Sequence, residues 1–502
     1  MADSELEPTP QPSPAQGIAS LARDTGIYGL NRLALSVAQI ILVPLYTRVF
    51  RPAEYGVVDL LLTFQAFAIQ FLLLGMDNGW ARFYHESEDP ADRRLTVSTA
   101  LWFHLATTTF VTLALLPAAR LLSKLLLGTP DNAPLVVLSV LTLLPTLLQY
   151  TFANLLKWMR EPWLFAAASL VQFAASIGLA VYLVVCVKWG LAGVLWSVLL
   201  ANACTGALTG LLTRTQFGLT FSRGRLREMA AFGLPFLPAR LGWQVMVSAD
   251  RYLLLHLVSR GTVGVYSVGS KVARLLLLPV SAFQFAWGPY SLAIHRSPNA
   301  KTTYARAFAY YTTGALLGLV LLSVFAPELV RVFAPAGYAA AHWVVPLLAG
   351  GIVLDGARYI VSVGLSITKN TRPIGIIGVA GAAINLGCSF VLIPRFGMVG
   401  AGISVVLSQL LVVAALHHVS QRCYPVDFGH WRAGILVAAA AAVSLLGQWS
   451  PPWIPVAVLC FKAGLVVGFA VIAYQVGLPA AERALVCSTL NAVRSRRKVS
   501  SG

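Results

Sequence analysis

Fourteen apolar runs, bounded by Pro, Gly and basic clusters, take up most of this chain and fix what it can become. They fall at approximately 26–47, 57–80, 97–117, 135–156, 163–187, 191–212, 230–257, 263–290, 305–326, 341–367, 373–393, 399–419, 433–449 and 453–475. A hydrocarbon core about 30 Å thick needs roughly 20 apolar residues per helical crossing. The runs therefore predict an all-α polytopic membrane protein of about fourteen transmembrane helices. Composition agrees, since 57% of the 502 residues are hydrophobic and only 11% charged, too apolar a balance for a soluble domain of this length. No large soluble domain fits between the runs.

The net charge of +18 does not point to nucleic acid, because the basic residues are dispersed among loops instead of gathered on one domain. With the N-terminus placed in the cytoplasm, 22 of the 37 Lys and Arg fall inside, 8 outside and 7 within runs. That asymmetry predicts an even number of crossings with both termini cytoplasmic. Residues 1–22 are acidic and Pro-rich without an apolar centre, so they read as a disordered cytoplasmic tail, and 479–502 as a basic one. The six cysteines show no metal or disulfide spacing.

The chain also repeats itself. Arg32 lies 24 residues before Gly56 and Arg240 lies 24 before Gly264, an offset of 208. "KWGLAGVLWS" at 188–197 matches "RFGMVGAGIS" at 395–404 at an offset of 207. Two matches at nearly one offset divide the chain into a lobe at 23–213, a cytoplasmic linker at 214–229, a second lobe at 230–420 and two additional helices within 421–478. Six crossings per lobe is even, so the repeats are parallel, a construction in which transporters carry substrate between the halves.

Charge inside a bilayer costs at least about 2.5 kcal/mol and marks a bundle interior or a watery cavity. Span 1 aligns Arg32, Ser36, Gln39 and Tyr46 on one face, and span 2 aligns Asp59, Thr63, Gln70 and Asp77. Span 7 aligns Arg240, Gln244 and Arg251, with Asp250 flanking. Span 8 sets Lys271 beside Arg274, and span 10 aligns Asp355 with Arg358. Cations outnumber anions on these stripes, which suits an anionic substrate, and arginine grips phosphate oxygens bidentately. The plainer reading is structural. Asp355 and Arg358 make an intrahelical pair, Asp250 neutralises a basic neighbour, Arg251 snorkels and Asp77 ends a helix. Lys462, outside the repeat, calls for a local partner or a lipid headgroup. Arg32 and Arg240, expected near mid-span, are the favoured substrate contacts.

Other chemistry is weak. "HESEDPAD" at 85–92 reads as a solvated turn, and His417 and His418 are adjacent on a helix and point about 100° apart. No P-loop or nucleophile triad occurs, which predicts no ATP hydrolysis, no catalytic residues, no metal and no cofactor.

"PLYTRVFRPAEYGVVDLLLTF" at 44–64, "GMDNGWARFYHE" at 75–86, "FGLPFLPARL" at 232–241 and "ADRYLLLHLVSRGTVGVYSVGSKVARLL" at 249–276 resemble the polysaccharide-transporter branch of the multidrug/oligosaccharidyl-lipid/polysaccharide (MOP) flippase superfamily. The resemblance implies two six-helix lobes forming a V-shaped cavity. It further implies a flippase moving an undecaprenyl-pyrophosphate-linked oligosaccharide to the outer leaflet of a bacterial inner membrane, in lipopolysaccharide or exopolysaccharide synthesis. It assigns the pyrophosphate to Arg32, Arg240, Lys271 and Arg274, with Arg358 weaker. Membrane lipids and a polysaccharide polymerase machinery are the implied partners. A proton or sodium gradient is a plausible driving force, with Asp59, Asp77, Asp250 or Asp355 as carrier. A lipid II flippase shares the layout. A drug or cation exporter would want an acidic cavity, and a membrane glycosyltransferase, polymerase or ligase would need larger external loops than 118–134 and 327–340.

Overall fold

The computed structural model describes residues 41–368, 370, 372–449 and 455–477. Arg32 and the expected tails 1–22 and 479–502 lie outside the described residues. The first lobe contains α1 (41–49), α2 (Pro52–Leu73), α3 (Met76–Glu86), α4 (Pro90–Leu115), α5 (Ala119–Leu127), α6 (Ala133–Leu141), α7 (Leu143–Trp158), α8 (Pro162–Ala180) and α9 (Gly190–Leu212). The linker is half helical, because α10 (Arg223–Gly233) starts inside it. The second lobe follows with α11 (Leu237–Leu257), α12 (Arg260–Ala273), α13 (Leu277–Ala293), α14 (Ala300–Val324), α15 (Ala326–Phe333), α16 (Val345–Val361), α17 (Val363–Ile367) and α18 (Arg372–Cys423). Two further helices, α19 (His430–Gln448) and α20 (Pro455–Ile472), close the described chain.

Sequence punctuation places the ends. Pro begins α2, α4 and α8, where its missing amide costs nothing. Asp89 caps α4 by accepting from the Ala91 amide at 2.9 Å, and Ser259 caps α12 by accepting from Thr262 at 3.1 Å. Eleven helical stretches among the described residues are long and apolar enough to cross a membrane. One of these, α18, turns at Gly397 (φ +55°), so its 52 residues supply the two crossings expected at 373–393 and 399–419. The 21-residue α11 falls outside the eleven because it carries Arg240, Asp250 and Arg251. Thirteen of the expected runs have helical counterparts among the described residues, and the first is described, as α1, only from residue 41.

The repeat is visible in space. Gly190 and Gly397 adopt matching left-handed turns at φ +58° and +55°. At one end of the bundle α2 and α12 cross so closely that a Cβ on Gly56 would strike the Arg260 carbonyl, and one on Gly264 would strike the Pro52 carbonyl. Gly56 and Gly264 are 208 residues apart, as are Pro52 and Arg260, so the contact is reciprocal about a local twofold axis. Around it Thr47 Oγ1 donates to the Phe333 carbonyl at 2.8 Å, and His256 Nε2 to the Leu125 carbonyl at 2.9 Å. Leu125 and Phe333 are again 208 apart.

At the opposite end, α3 rests on α10. The chain breaks between α2 and α3 at Leu74 (φ +49°) and Gly75 (φ +70°), and Gly75 meets the Gly233 backbone directly. The positive φ and the close approach both require glycine at 75. The helices α19 and α20 pack on α14, and Lys462 of α20, wholly buried, reaches Glu328 of α15 at 2.7 Å.

Candidate functional site

The helices α2, α11 and α12 converge beside the glycine contact, and each brings charge into the interior. Arg251 of α11 donates through Nε to Asp59 Oδ2 of α2 at 2.8 Å, and through Nη1 to its neighbour Asp250 at 3.1 Å and to the Val247 carbonyl at 3.0 Å. Its Nη2 donates to Ser270 of α12 at 3.2 Å. Ser267 of α12 donates to the same Asp59 oxygen at 2.6 Å, and the Tyr266 hydroxyl donates to Asp250 Oδ2. Asp59, Asp250 and Arg251 are 7%, 3% and 5% exposed, so the group is interior and saturated with hydrogen bonds. Saturation is what makes burial of these charges tolerable.

Two cations extend the group, near its carboxylates but not in direct ion pairs with them among the described residues. Lys271 Nζ lies 5.7 Å from the Tyr55 ring centroid, a cation-over-ring contact, and Arg274 follows one turn later where α12 tightens into a 3-10 turn at Arg274–Leu276. Among the described residues neither Lys271 nor Arg274 has an ion-pair partner. With Arg251, three cations face two aspartates among the described residues, a net positive balance where α2 of the first lobe meets α11 and α12 of the second.

The remaining sequence candidates are placed as follows. Arg240 stands in the first turn of α11 near one end of the bundle, not at mid-span, because α11 begins only at Leu237. It donates to Asp77 Oδ1 at 2.8 Å and to Asn78 at 3.3 Å, and Asp77 also accepts from the Tyr150 hydroxyl at 3.2 Å. Asp59 and Asp77 do not share one continuous helix, since the break at Leu74 and Gly75 separates them, yet both meet an arginine of α11. Arg358 pairs with Asp355 at 2.9 Å within α16, while Gln284 donates to Asp355 at 3.3 Å. The Arg358 guanidinium also lies 5.0 Å from the Trp243 ring centroid. The intrahelical reading of that pair therefore describes it well. Gln244 bonds Ser248 in its own helix at 3.0 Å, and Gln70 makes no hydrogen bond among the described residues.

Tyr55, Tyr266, Ser267 and Ser270 were not among the sequence candidates, although they complete the site. Ser267 carried a signal, since it lies 208 residues after Asp59 and the repeat offset sets the two face to face.

Helices of this number and order, with charge buried between two repeated halves, define a polytopic protein of transporter architecture. Its sequence places it more narrowly: the chain belongs to the polysaccharide biosynthesis protein family, whose profile matches residues 21–295. No curated protein matches it. Among solved structures, "Lipid II flippase MurJ, inward closed conformation" is similar at a TM-score of 0.69 and 13% identity, covering 90% of this chain and 99% of that one. An inward-facing multidrug resistance MATE family transporter of the MOP superfamily gives 0.67 and 15%, covering 78% and 97%. A MOP superfamily transporter from Pyrococcus furiosus, described by a reverse polarity of its binding pocket, gives 0.59 and 14%, covering 80% and 95%. The fold is the one these transporters share.

Proposed function

We propose that the protein is a flippase that carries an undecaprenyl-pyrophosphate-linked oligosaccharide from the inner to the outer leaflet of a bacterial inner membrane by alternating access. The observation that carries this reading is the pair Lys271 and Arg274, two interior cations between the lobes that form no ion pair among the described residues. An anionic headgroup supplies the missing counter-charge, and the prenyl tail stays in lipid. The sequence charge count orients the chain with the Gly56 end outside and the Asp77 end in the cytoplasm. Both ends are bridged in this arrangement, outside by Arg251 to Asp59 and inside by Arg240 to Asp77. Arg240, Arg251 and Arg358 are committed to aspartates, so they act on substrate only by exchanging partners. An organic-cation exporter would place an excess of carboxylates where the described residues of this chain have an excess of cations.

The test is leaflet transfer in proteoliposomes of a fluorescent pyrophosphate-linked oligosaccharide, with a monophosphate-linked analogue and lipid II alongside. Losing the hydrogen bonds of two charged donors, each worth roughly 1.5–3 kcal/mol, should slow transfer by Lys271→Ala, Arg274→Ala at least about 100-fold. Normal transfer by that variant would remove the assignment. Preferential transfer of lipid II would favour a second reading, a lipid II flippase, which the 99% coverage of the MurJ structure supports.

A further inference from the structure

The second lobe holds a cavity away from the charged group of α2, α11 and α12. It lies between α14, α19 and the turn at Ala473–Gly477 that follows α20, and measures about 410 Å³, enough for a small ligand. The sequence of α14 makes the room. Thr302, Ala305, Arg306 and Ala309 fall at i, i+3, i+4 and i+7 on one face, where two alanines leave space that larger side chains would fill. Opposite them α19 presents Arg432 and, one turn on, Leu436. Neighbouring contacts set the levels: the Phe308 ring lies 5.2 Å from that of Phe428, while Gly477 packs against Thr313 and Leu436. The cavity therefore has a charged mouth near the start of both helices and a mainly apolar floor, about 10 Å further in from Arg306 to Thr313 at 1.5 Å per residue.

In the orientation that the charge count gives, this mouth is cytoplasmic. The two segments that frame it, 294–310 and 420–436, carry Arg296, Lys301, Arg306, Arg422 and Arg432 against the single acid Asp427, a balance of five to one. Asp427 Oδ1 accepts from the Gly429 amide at 3.0 Å, which engages it within its own loop. Lys301 Nζ lies 5.1 Å from the Tyr424 ring centroid, and the Arg432 guanidinium 5.3 Å from that of Trp431. Arg432 makes no ion pair among the described residues. Arg306 brings a fork of five donors, more than one partner takes up. Trp431 is 65% exposed, and an exposed indole at a helix start suits the boundary between hydrocarbon and lipid headgroups. A basic pocket between transmembrane helices on the cytoplasmic side, with an aromatic residue at its rim, fits the phosphate of a lipid.

We propose that this cavity binds an anionic glycerophospholipid of the cytoplasmic leaflet, with its phosphate between Arg306 and Arg432 and the start of an acyl chain over Ala305, Ala309 and Leu436. The phosphate supplies the counter-charge that one aspartate cannot, and guanidinium groups hold its oxygens through charge-assisted hydrogen bonds. A free phosphate ion would meet the same arginines but leave the apolar floor uncovered, which favours the lipid. The bound molecule joins α14 of the second lobe to α19, a helix added after the two repeats, so the seating of the additional helices depends on the charge of the leaflet around them. The ligand is a resident of the bilayer and not the cargo, and the site does not depend on what the carrier moves.

The test uses the full chain in nanodiscs of phosphatidylethanolamine and phosphatidylglycerol in equal amounts, without transport substrate, and counts by native mass spectrometry the lipids that stay bound. The parent should keep phosphatidylglycerol in preference to phosphatidylethanolamine. Arg306→Gln, Arg432→Gln should lower that preference about 30-fold, the effect of two basic residues at an anionic surface, and Arg306→Lys, Arg432→Lys should retain most of it. Ala305→Leu, Ala309→Leu fills the cavity with every charge in place and should also lower the preference, so the site is read independently of how the charge variant folds. Arg120→Gln, Lys124→Gln on α5 removes the same charge from two exposed positions elsewhere and should leave the preference unchanged. Equal retention of both lipids by the parent, an unchanged preference in the glutamine or leucine variant, or an equal loss in the α5 variant would overturn the proposal. So would displacement of the lipid by inorganic phosphate at the lipid's own concentration, which would make the site one for a free anion.

Discussion

Gly56 and Gly264 occupy equivalent places in the two halves and lie against each other, each blocking the space a Cβ on the other would need near the crossing chain. Everything next to them is backbone, so neither side can give way by turning a side chain.

Alanine at either glycine should therefore hold the Gly56 end apart. Overpacking of this sort costs roughly 1–3 kcal/mol, and Gly56→Ala, Gly264→Ala together should lower thermal stability and leave a cysteine at Thr47 open to a membrane-impermeant maleimide. Protection of that cysteine equal to that in the parent would show that the crossing tolerates side chains.

Arg251 and Asp59 should behave as a unit. Removing one partner of a buried pair costs roughly 3–5 kcal/mol, because the other charge is left unpaired. Arg251→Met or Asp59→Asn should thus each depress the melting temperature, whereas Arg251→Met, Asp59→Leu should recover much of the loss. Scanning calorimetry in detergent measures all three, and additive losses in the double variant would mean the residues are not coupled.

Lys462 is a local clamp. It is entirely buried in α20 and meets Glu328 at 2.7 Å, so Lys462→Met should destabilise the docking of α20, and Glu328→Gln in the same chain should partly restore it. Protease protection of the segment preceding α20 reads this out. Transfer of the proposed substrate should change less than about tenfold, since 10-fold corresponds to only about 1.4 kcal/mol and the pair lies on other helices than Lys271 and Arg274.

Arg358 should separate charge from shape. Its planar guanidinium stacks on Trp243 and pairs with Asp355, so Arg358→Lys keeps the charge but loses the stacking geometry. Intrinsic fluorescence of a variant retaining only Trp243 should shift to longer wavelength, and no shift would mean that the stack does not order the indole.

Sequence reading went furthest where one residue type has one physical meaning. The apolar runs and the repeat offset have direct counterparts in the structure. Partner choice was harder to read. A helical wheel set Asp59 and Asp77 on one stripe, but it presumes a continuous helix, and Leu74 entering the left-handed region is not something an apolar residue announces. Arg240 was expected at mid-span because the run from 230 looks unbroken, whereas α10 and α11 divide it at Leu234–Phe236.

The reciprocal contacts at the Gly56 end have a consequence for ancestry and assembly. Pro52 meets Gly264 as Arg260 meets Gly56, and Thr47 meets Phe333 much as His256 meets Leu125. Such a surface is self-complementary, the kind that lets two identical subunits dimerise without a second partner. One face of this carrier thus has, inside a single polypeptide, the reciprocal form of a homodimer interface.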